Sequence, residues 1–241
     1  MIEFDGISSD SMHLIVEHYP RRYFAKRRFE VKPIPGRNGQ AIHDEGCFED
    51  YTQPYNVFFD SKTPGLQFVA RSISEWLLHK PGYLRLEDSY EPDVYRMAYY
   101  NGGEEFLNHF NEYGRGTLTF SCAPQRFYKL GETPITLTKN KKLFNPSLMD
   151  SFPIIEFVGT GNVTFSMTKD GTVKQFSIAD LGEDVSVTID TEKHKIYDSE
   201  GNNLNEKLTG LYEDMALGRE SSLTWSSGIT SMTVTPRWWT I

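Results

Sequence analysis

Short runs in which apolar and polar residues alternate recur along most of the chain, the two-residue period of a strand with one buried face. In the first half they cover Ile2 to Phe4, His13 to Val16, Phe29 to Val31, Tyr55 to Phe59, Tyr83 to Leu86, Val94 to Tyr99 and Thr117 to Cys122, with turn residues between them. One segment has a different period. Val69, Ile73, Trp76 and Leu77 fall at i, i+4, i+7 and i+8, which predicts a helix from about Pro64 to His79 with those four on its buried face. Thr63 suits its N-cap, Pro64 its first position, and Pro81-Gly82 stops it. Leu118, Phe120 and Cys122 share one strand face, so together with Trp76 they are assigned to the core.

Around residues 124–145 the pattern lapses: Gly131, Pro134, the lysines 139, 141 and 142, then Asn145-Pro146. A boundary near residue 132 gives two domains, 1–132 and 133–241. Strand periods resume at Ile135 to Thr138, Ile154 to Val158, Val163 to Met167, Val173 to Ile178, Val185 to Ile189, Lys195 to Tyr197, Leu223 to Trp225 and Met232 to Thr235. Gly159-Thr160-Gly161, Lys169-Asp170-Gly171 and Glu200-Gly201-Asn202 are read as turns between several of them. The expected fold is mainly β, two sandwich or barrel-like domains, the first carrying one α-helix.

Composition changes this picture little. The aromatic share of 14% favours sheet, and 38% hydrophobic with 24% charged residues is the make-up of a folded domain. The net charge of −8 works against a general grip on nucleic acid or an anionic membrane. Met1 leads into Ile2-Glu3-Phe4-Asp5 without a basic, then apolar, leader, so a signal peptide is not expected. Cys47 and Cys122 are too few for a disulfide framework or a zinc site and are expected as free thiols, Cys122 as a small core residue.

The signatures that carry strong chemical meaning are missing: no H-E-x-x-H, G-x-S-x-G, phosphate loop or paired C-x-x-C, and the six histidines are scattered. No cofactor, metal or catalytic residue is assigned. Gly159-Thr160-Gly161 starts like a dinucleotide fingerprint but runs into strand. Asp198 to Asn202 has its glycine at the fourth place, where a calcium loop needs the sixth, so a turn is expected. Asp44-Glu45 and the run Glu87, Asp88, Glu91, Asp93 offer carboxylates of the kind a glycosidase pairs, yet solvated loops account for them in an acidic chain. Arg21, Arg22, Lys26, Arg27 and Arg28 interleave with Tyr23, Phe24 and Phe29, a stripe suited to stacking on nucleic acid or, with negative surface elsewhere, to contact between subunits. Arg21, Arg22, Arg27 and Arg28 are named as the subunit contacts. A carbohydrate-binding module, stacking sugars on Tyr212, Trp225 or Trp239, is the alternative from another class.

Several segments together resemble the distal tail (Dit) proteins of phages with long non-contractile tails. Ile2 to Ser9 is similar to the family's first strand and turn, and Pro35-Gly36-Arg37-Asn38-Gly39 to its glycine-bearing loop. The Trp76-Leu77 helix fits, Glu87 to Ala98 is similar to the mid-domain pair of strands, and Thr119 to Pro124 to the strand closing the first domain. Asn145-Pro146, Pro153-Ile154-Ile155 leading to Gly159-Thr160-Gly161, and Thr233 to Trp239 look like the C-terminal domain. The resemblance implies a structural, non-enzymatic protein of the virion tail tip, made and assembled in the host cytoplasm. It implies a hexameric ring of N-terminal domains with galectin-like C-terminal domains outside, set between the tail tube protein and the tail-associated (Tal) baseplate protein. A receptor-binding protein is a further partner, and DNA is met only in transit. The chain carries no long insertion, which puts in doubt the carbohydrate-binding extensions of some relatives.

Overall fold

The computed structural model describes residues 1–60, 66–103, 107–109 and 113–241. The chain forms two units, Met1–Arg126 with Ile241, and Phe127–Thr240. In the first, the elements are β1 (Ile2–Phe4), β2 (Ile7–Ser8), β3 (Leu14–Val16), β4 (Lys26–Pro33), β5 (Gln40–Glu49), β6 (Tyr51–Asp60), α1 (Leu66–Leu78), β7 (Leu84–Asp88), β8 (Val94–Tyr100), β9 (Leu107–His109) and β10 (Tyr113–Tyr128). One curled sheet takes the order β2-β1-β7-β8-β10-β6-β3, with β9 also on β10, while β4 and β5 pair only with each other.

The helix face read from the sequence is the buried one: Val69, Ile73, Trp76 and Leu77 pack on Phe4, Tyr55, Leu86, Leu118 and Phe120. Trp76 places its ring edge-on to Phe4 at 6.4 Å and donates its indole N–H to the Phe4 carbonyl at 3.1 Å. An apolar ring thus fills the core while its one polar group is satisfied by backbone. Leu118, Phe120 and Cys122 are fully buried, as their shared strand face requires. The helix ends at Leu78, one residue short of expectation, and Thr63 and Pro64 lie outside the described residues.

The second unit comprises β11 (Ile135–Thr136), β12 (Lys142–Phe144), β13 (Ile154–Lys169), β14 (Thr172–Asp190), β15 (Lys195–Asp198), β16 (Leu208–Thr209), β17 (Glu220–Trp225), β18 (Ile229–Thr235) and β19 (Trp239–Thr240). Its sheet runs β11-β18-β13-β14-β15, with β12 and β17 joined through β13 and β16 through β14. Asp170 and Gly171 close the β13–β14 hairpin with φ of 47° and 86°, the two positive values that a tight hairpin turn of matching twist needs.

One expectation is corrected here. Gly159-Thr160-Gly161 is not a hairpin turn; it lies inside the continuous strand β13, at register shifts against β14. Gly161 has φ of 68°, and a bulge requires the same left-handed backbone as a turn, so the two leave one signature in sequence. The bulge has an architectural effect. Residues before it pair with β18 and residues after it pair with β17, so a single bent strand carries the sheet around its own core. That core includes Phe157, Phe165, Met167, Phe176, Ile178, Val187, Met232 and Val234, with Phe165 stacked on Phe176 at 5.1 Å.

Gly131 sits where a Cβ would come within 2.5 Å of the Trp238 backbone nitrogen, and its carbonyl accepts from Arg237 N–H at 2.8 Å. A close backbone crossing of this kind has nowhere to yield. Gly131→Ala is expected to destabilise the second unit by about 1–3 kcal/mol, read as a lowered urea midpoint; an unchanged midpoint counts against this packing.

Candidate functional site: an exposed ribbon and its root

Strands β4 and β5 form a two-stranded ribbon outside both cores. Every residue of β4 is exposed, as is every residue of β5 except Phe48 and Glu49. The register pairs Arg27 with Phe48, Phe29 with Asp44, Val31 with Ile42 and Pro33 with Gln40, which gathers Phe29, Val31, Ile42 and Phe48 on one face together with the Arg27–Asp44 pair. The other face carries Lys26, Arg28, Glu30, Lys32, His43 and Glu49. The ribbon is therefore amphipathic, yet Ile42 is 67% exposed, Phe29 46% and Val31 42%. Its tip is the stretch Pro35 to Gly39, where Gly36 and Gly39 take φ of 75° and 91°.

The structure places the four candidate arginines along this element and its approach. Arg27 bonds Asp44 through Nε at 2.9 Å and its guanidinium lies 5.2 Å from the Phe48 ring centroid. The Arg27 hydrogen bond, helped by the Gly46 N–H, holds the Asp44 carboxyl below its ordinary range. Arg28 lies 3.8 Å from both Glu45 and Glu49 on the charged face. Such exposed pairs contribute little, because water screens them, and an isolated two-stranded ribbon is marginal in water. Arg21 and Arg22 belong to the irregular approach to β4, where Arg22 reaches Glu91 at 3.3 Å.

Glu91 belongs to a buried charge cluster at the root of the ribbon. Arg96, whose side chain is 3% exposed, bonds Asp88 at 2.9 Å, the Tyr51 hydroxyl at 3.1 Å and the second oxygen of Glu91. Tyr55 donates to Asp88 at 2.9 Å, and Arg126 lies 3.7 Å from Glu91 and 3.4 Å from the Tyr51 hydroxyl. Burial opposes the charge on Arg96, but Tyr55, Tyr51 and Asp88 around it outweigh that and raise its pKa, while burial pushes the Tyr55 phenol well up. The expectation of solvated loops is thus corrected for this run: Asp88 is buried and Glu91 nearly so, because each meets an arginine from another strand. Glu87 pairs with Arg85 at 2.5 Å, and Asp93 is exposed. Glu87, Asp88 and Glu91 are thus occupied as counter-ions to arginines.

Other sequence candidates resolve in similar terms. Asp198 accepts the backbone N–H groups of Glu200 and Asn202 at 2.9 Å each, closing a turn. Among the described residues no cluster of three or more His, Cys, Asp or Glu is grouped to hold a metal, and no helix is long and apolar enough to cross a membrane. Tyr212 and Trp225 pack, half-buried, against the second core, and Trp239 is half-buried with its indole N–H on the Asp150 carbonyl at 2.9 Å. None of the three lies open as a sugar platform. Trp238 and Trp239 do differ, Trp238 being 5% exposed.

Sequence comparison matches the chain to no family model and to no curated protein. Structure comparison does find a match. The chain superposes on the SPP1 phage Dit protein (gp 19.1), described as a paradigm of the hub adsorption apparatus in phages infecting Gram-positive bacteria, with a TM-score of 0.79 over 97% of this chain and 96% of that one, at 15% identity. This chain has the Dit fold.

Sequence reading placed Phe29 in a contact stripe but did not show that Val31 and Ile42 share its exposed face. Phe29 and Val31 alternate with Glu30 and Lys32 as in any half-buried strand, and the missing signal is whether the chain itself covers them. Two outcomes follow from the geometry. Removing one partner of the buried cluster, as in Asp88→Ala, takes one of the two carboxylates from Arg96 and leaves the Tyr55 hydroxyl without its acceptor; it is expected to cost about 3 kcal/mol, lowering Tm by roughly 10 °C, and an unchanged thermal midpoint would remove the cluster from the folding argument. Cys47 is exposed, whereas burial raises the Cys122 thiol to about 12. At pH 8 a thiol reagent should therefore titrate one cysteine in the native protein and two after unfolding, and two fast native reactions would contradict the placement of Cys122.

Proposed function

We propose that this protein is a structural subunit of a phage tail tip, a hub that assembles with copies of itself into a hexameric ring and joins the tail tube to the adsorption apparatus. The observation that carries the reading is the amphipathic ribbon, which leaves Phe29, Val31 and Ile42 in water on an element with no core of its own. A second copy of the chain, presenting the same surfaces in a closed ring, covers that face without adding any new protein. The Dit fold supports the same reading.

In this arrangement Arg21, Arg22, Arg27 and Arg28 line the approach and base of the ribbon and meet acidic surface of the neighbouring subunit. The tail tube protein is the partner on one side of the ring. The tail-associated (Tal) protein, with any receptor-binding protein, is the partner on the other. DNA passes through the ring without being held, a role suited to a chain of net charge −8. The subunit is made and assembled in the host cytoplasm and acts in the virion. Its work is assembly, not catalysis.

Light scattering at several protein concentrations and two salt levels tests the reading. The wild-type chain is expected to reach the mass of a closed hexamer. Val31→Asp combined with Ile42→Asp, which puts two carboxylates into the covered face, should weaken association at least ~100-fold. A wild-type chain that stays monomeric throughout, or a double variant with wild-type mass, counts against it.

A further inference from the structure

Both ends of the ribbon lead into the buried charge cluster. On the way in, residues 17–25 have no regular structure, yet their path is fastened at successive points. Tyr19 packs on Tyr90 with ring centroids 4.9 Å apart, and Arg22 bonds the Tyr19 hydroxyl at 2.7 Å and Glu91 at 3.3 Å. The Arg21 carbonyl accepts from the Gln53 side chain at 3.0 Å. The Tyr23 carbonyl accepts from Arg126 at 2.5 Å, and Arg126 lies 5.9 Å from the Phe24 ring centroid. On the way out, β5 is followed within two residues by Tyr51, whose hydroxyl takes hydrogen bonds from both Arg96 and Arg126. Glu91 is central: Arg22 and Arg126 approach one of its oxygens and Arg96 the other. Its own turn is held by Asp88, which accepts the Tyr90 and Glu91 N–H groups at 2.9 Å.

Buried ion pairs are a poor means of adding stability, since apolar packing of the same volume serves as well or better. What charged hydrogen bonds supply and apolar contacts do not is direction, because each guanidinium fixes its partners in plane and angle. We propose that Glu91, with Arg22, Arg96 and Arg126, is a positioning anchor that fixes the direction in which the β4–β5 ribbon leaves the first unit. The anchor preorganises the ribbon, so the ordering cost is met on folding rather than at assembly. The mechanical role stands without the ring; its consequence for assembly rests on the reading given under Proposed function.

Cys47 lies on β5 and is the accessible thiol, so a fluorophore attached there reports the ribbon's motion in the full-length protein. Time-resolved anisotropy is measured on dilute, monomeric wild type and on Arg22→Ala, Glu91→Gln and Arg22→Lys. Arg22 is half exposed, so its truncation leaves the core intact even if Glu91→Gln proves unstable. Arg22→Ala is expected to increase the amplitude of nanosecond depolarisation about two-fold and to speed amide exchange in β4 and β5 at least ~10-fold with Tm nearly unchanged. Arg22→Lys should recover part of the loss. Wild-type label motion and exchange in Arg22→Ala overturn the anchor, as does a fall in Tm without any change in ribbon motion. The mass of the Val31→Asp, Ile42→Asp variant separates the two ideas. A wild-type mass there refutes the assembly reading and leaves the anisotropy result to judge the anchor alone.

Discussion

Burying a guanidinium is costly unless its nitrogens find partners, and each of the three nitrogens of Arg96 finds one, which constrains the first unit. Its partners come from three separate places in the chain: Tyr51 on β6, Asp88 at the end of β7 and Glu91 in the following turn. Arg126 on β10 repeats the demand and adds the Tyr23 backbone. Satisfying two buried cations therefore fixes the mutual placement of β6, β7, β8 and β10, and of the segment that leads to the ribbon. The apolar core around Trp76 and Phe120 provides the bulk of the burial, but apolar contact has no preferred direction. Geometry at this end of the unit is set by charge.

The ribbon is the complementary case, an element that pairs only with itself among the described residues and leaves Phe29, Val31 and Ile42 exposed. One face gathers Phe29, Val31, Ile42 and Phe48 around the Arg27–Asp44 pair, and the ribbon's tip and bulge glycines are in place. Local sequence thus encodes the ribbon's shape, while Phe29, Val31 and Ile42 stay exposed. The second unit is built the opposite way, with its long bent hairpin wrapped round Phe157, Phe165 and Phe176.

How far these features could be read in advance follows from the range of the interactions involved. The helix was legible because Val69, Ile73, Trp76 and Leu77 repeat within three turns, and the burial of Leu118, Phe120 and Cys122 because their alternation is local. Cluster members were not legible as a cluster. Asp88 and Glu91 look like any acidic loop until Arg96 and Arg126 are brought to them, and Arg126 is distant in sequence from both. The ribbon's apolar face was hidden for a different reason: periodicity shows that a strand has two unlike faces but not what covers either. Gly159-Thr160-Gly161 misled because a bulge and a turn make the same demand on φ.

The tight turn at Asp170-Gly171 bears on the order in which the second unit comes together. Joining Lys169 to Thr172 closes almost no loop, so β13 and β14 zip outward from the turn at small entropic cost. The pairing of Ile135 with Val234 spans nearly the whole unit and gains nothing until both long strands are laid down. The nascent hairpin is thus the template, and β18 is a latecomer that must find an edge already built. During synthesis that edge stays open until the last strands emerge, and the interval is the period in which this unit is most exposed to pairing with the wrong chain.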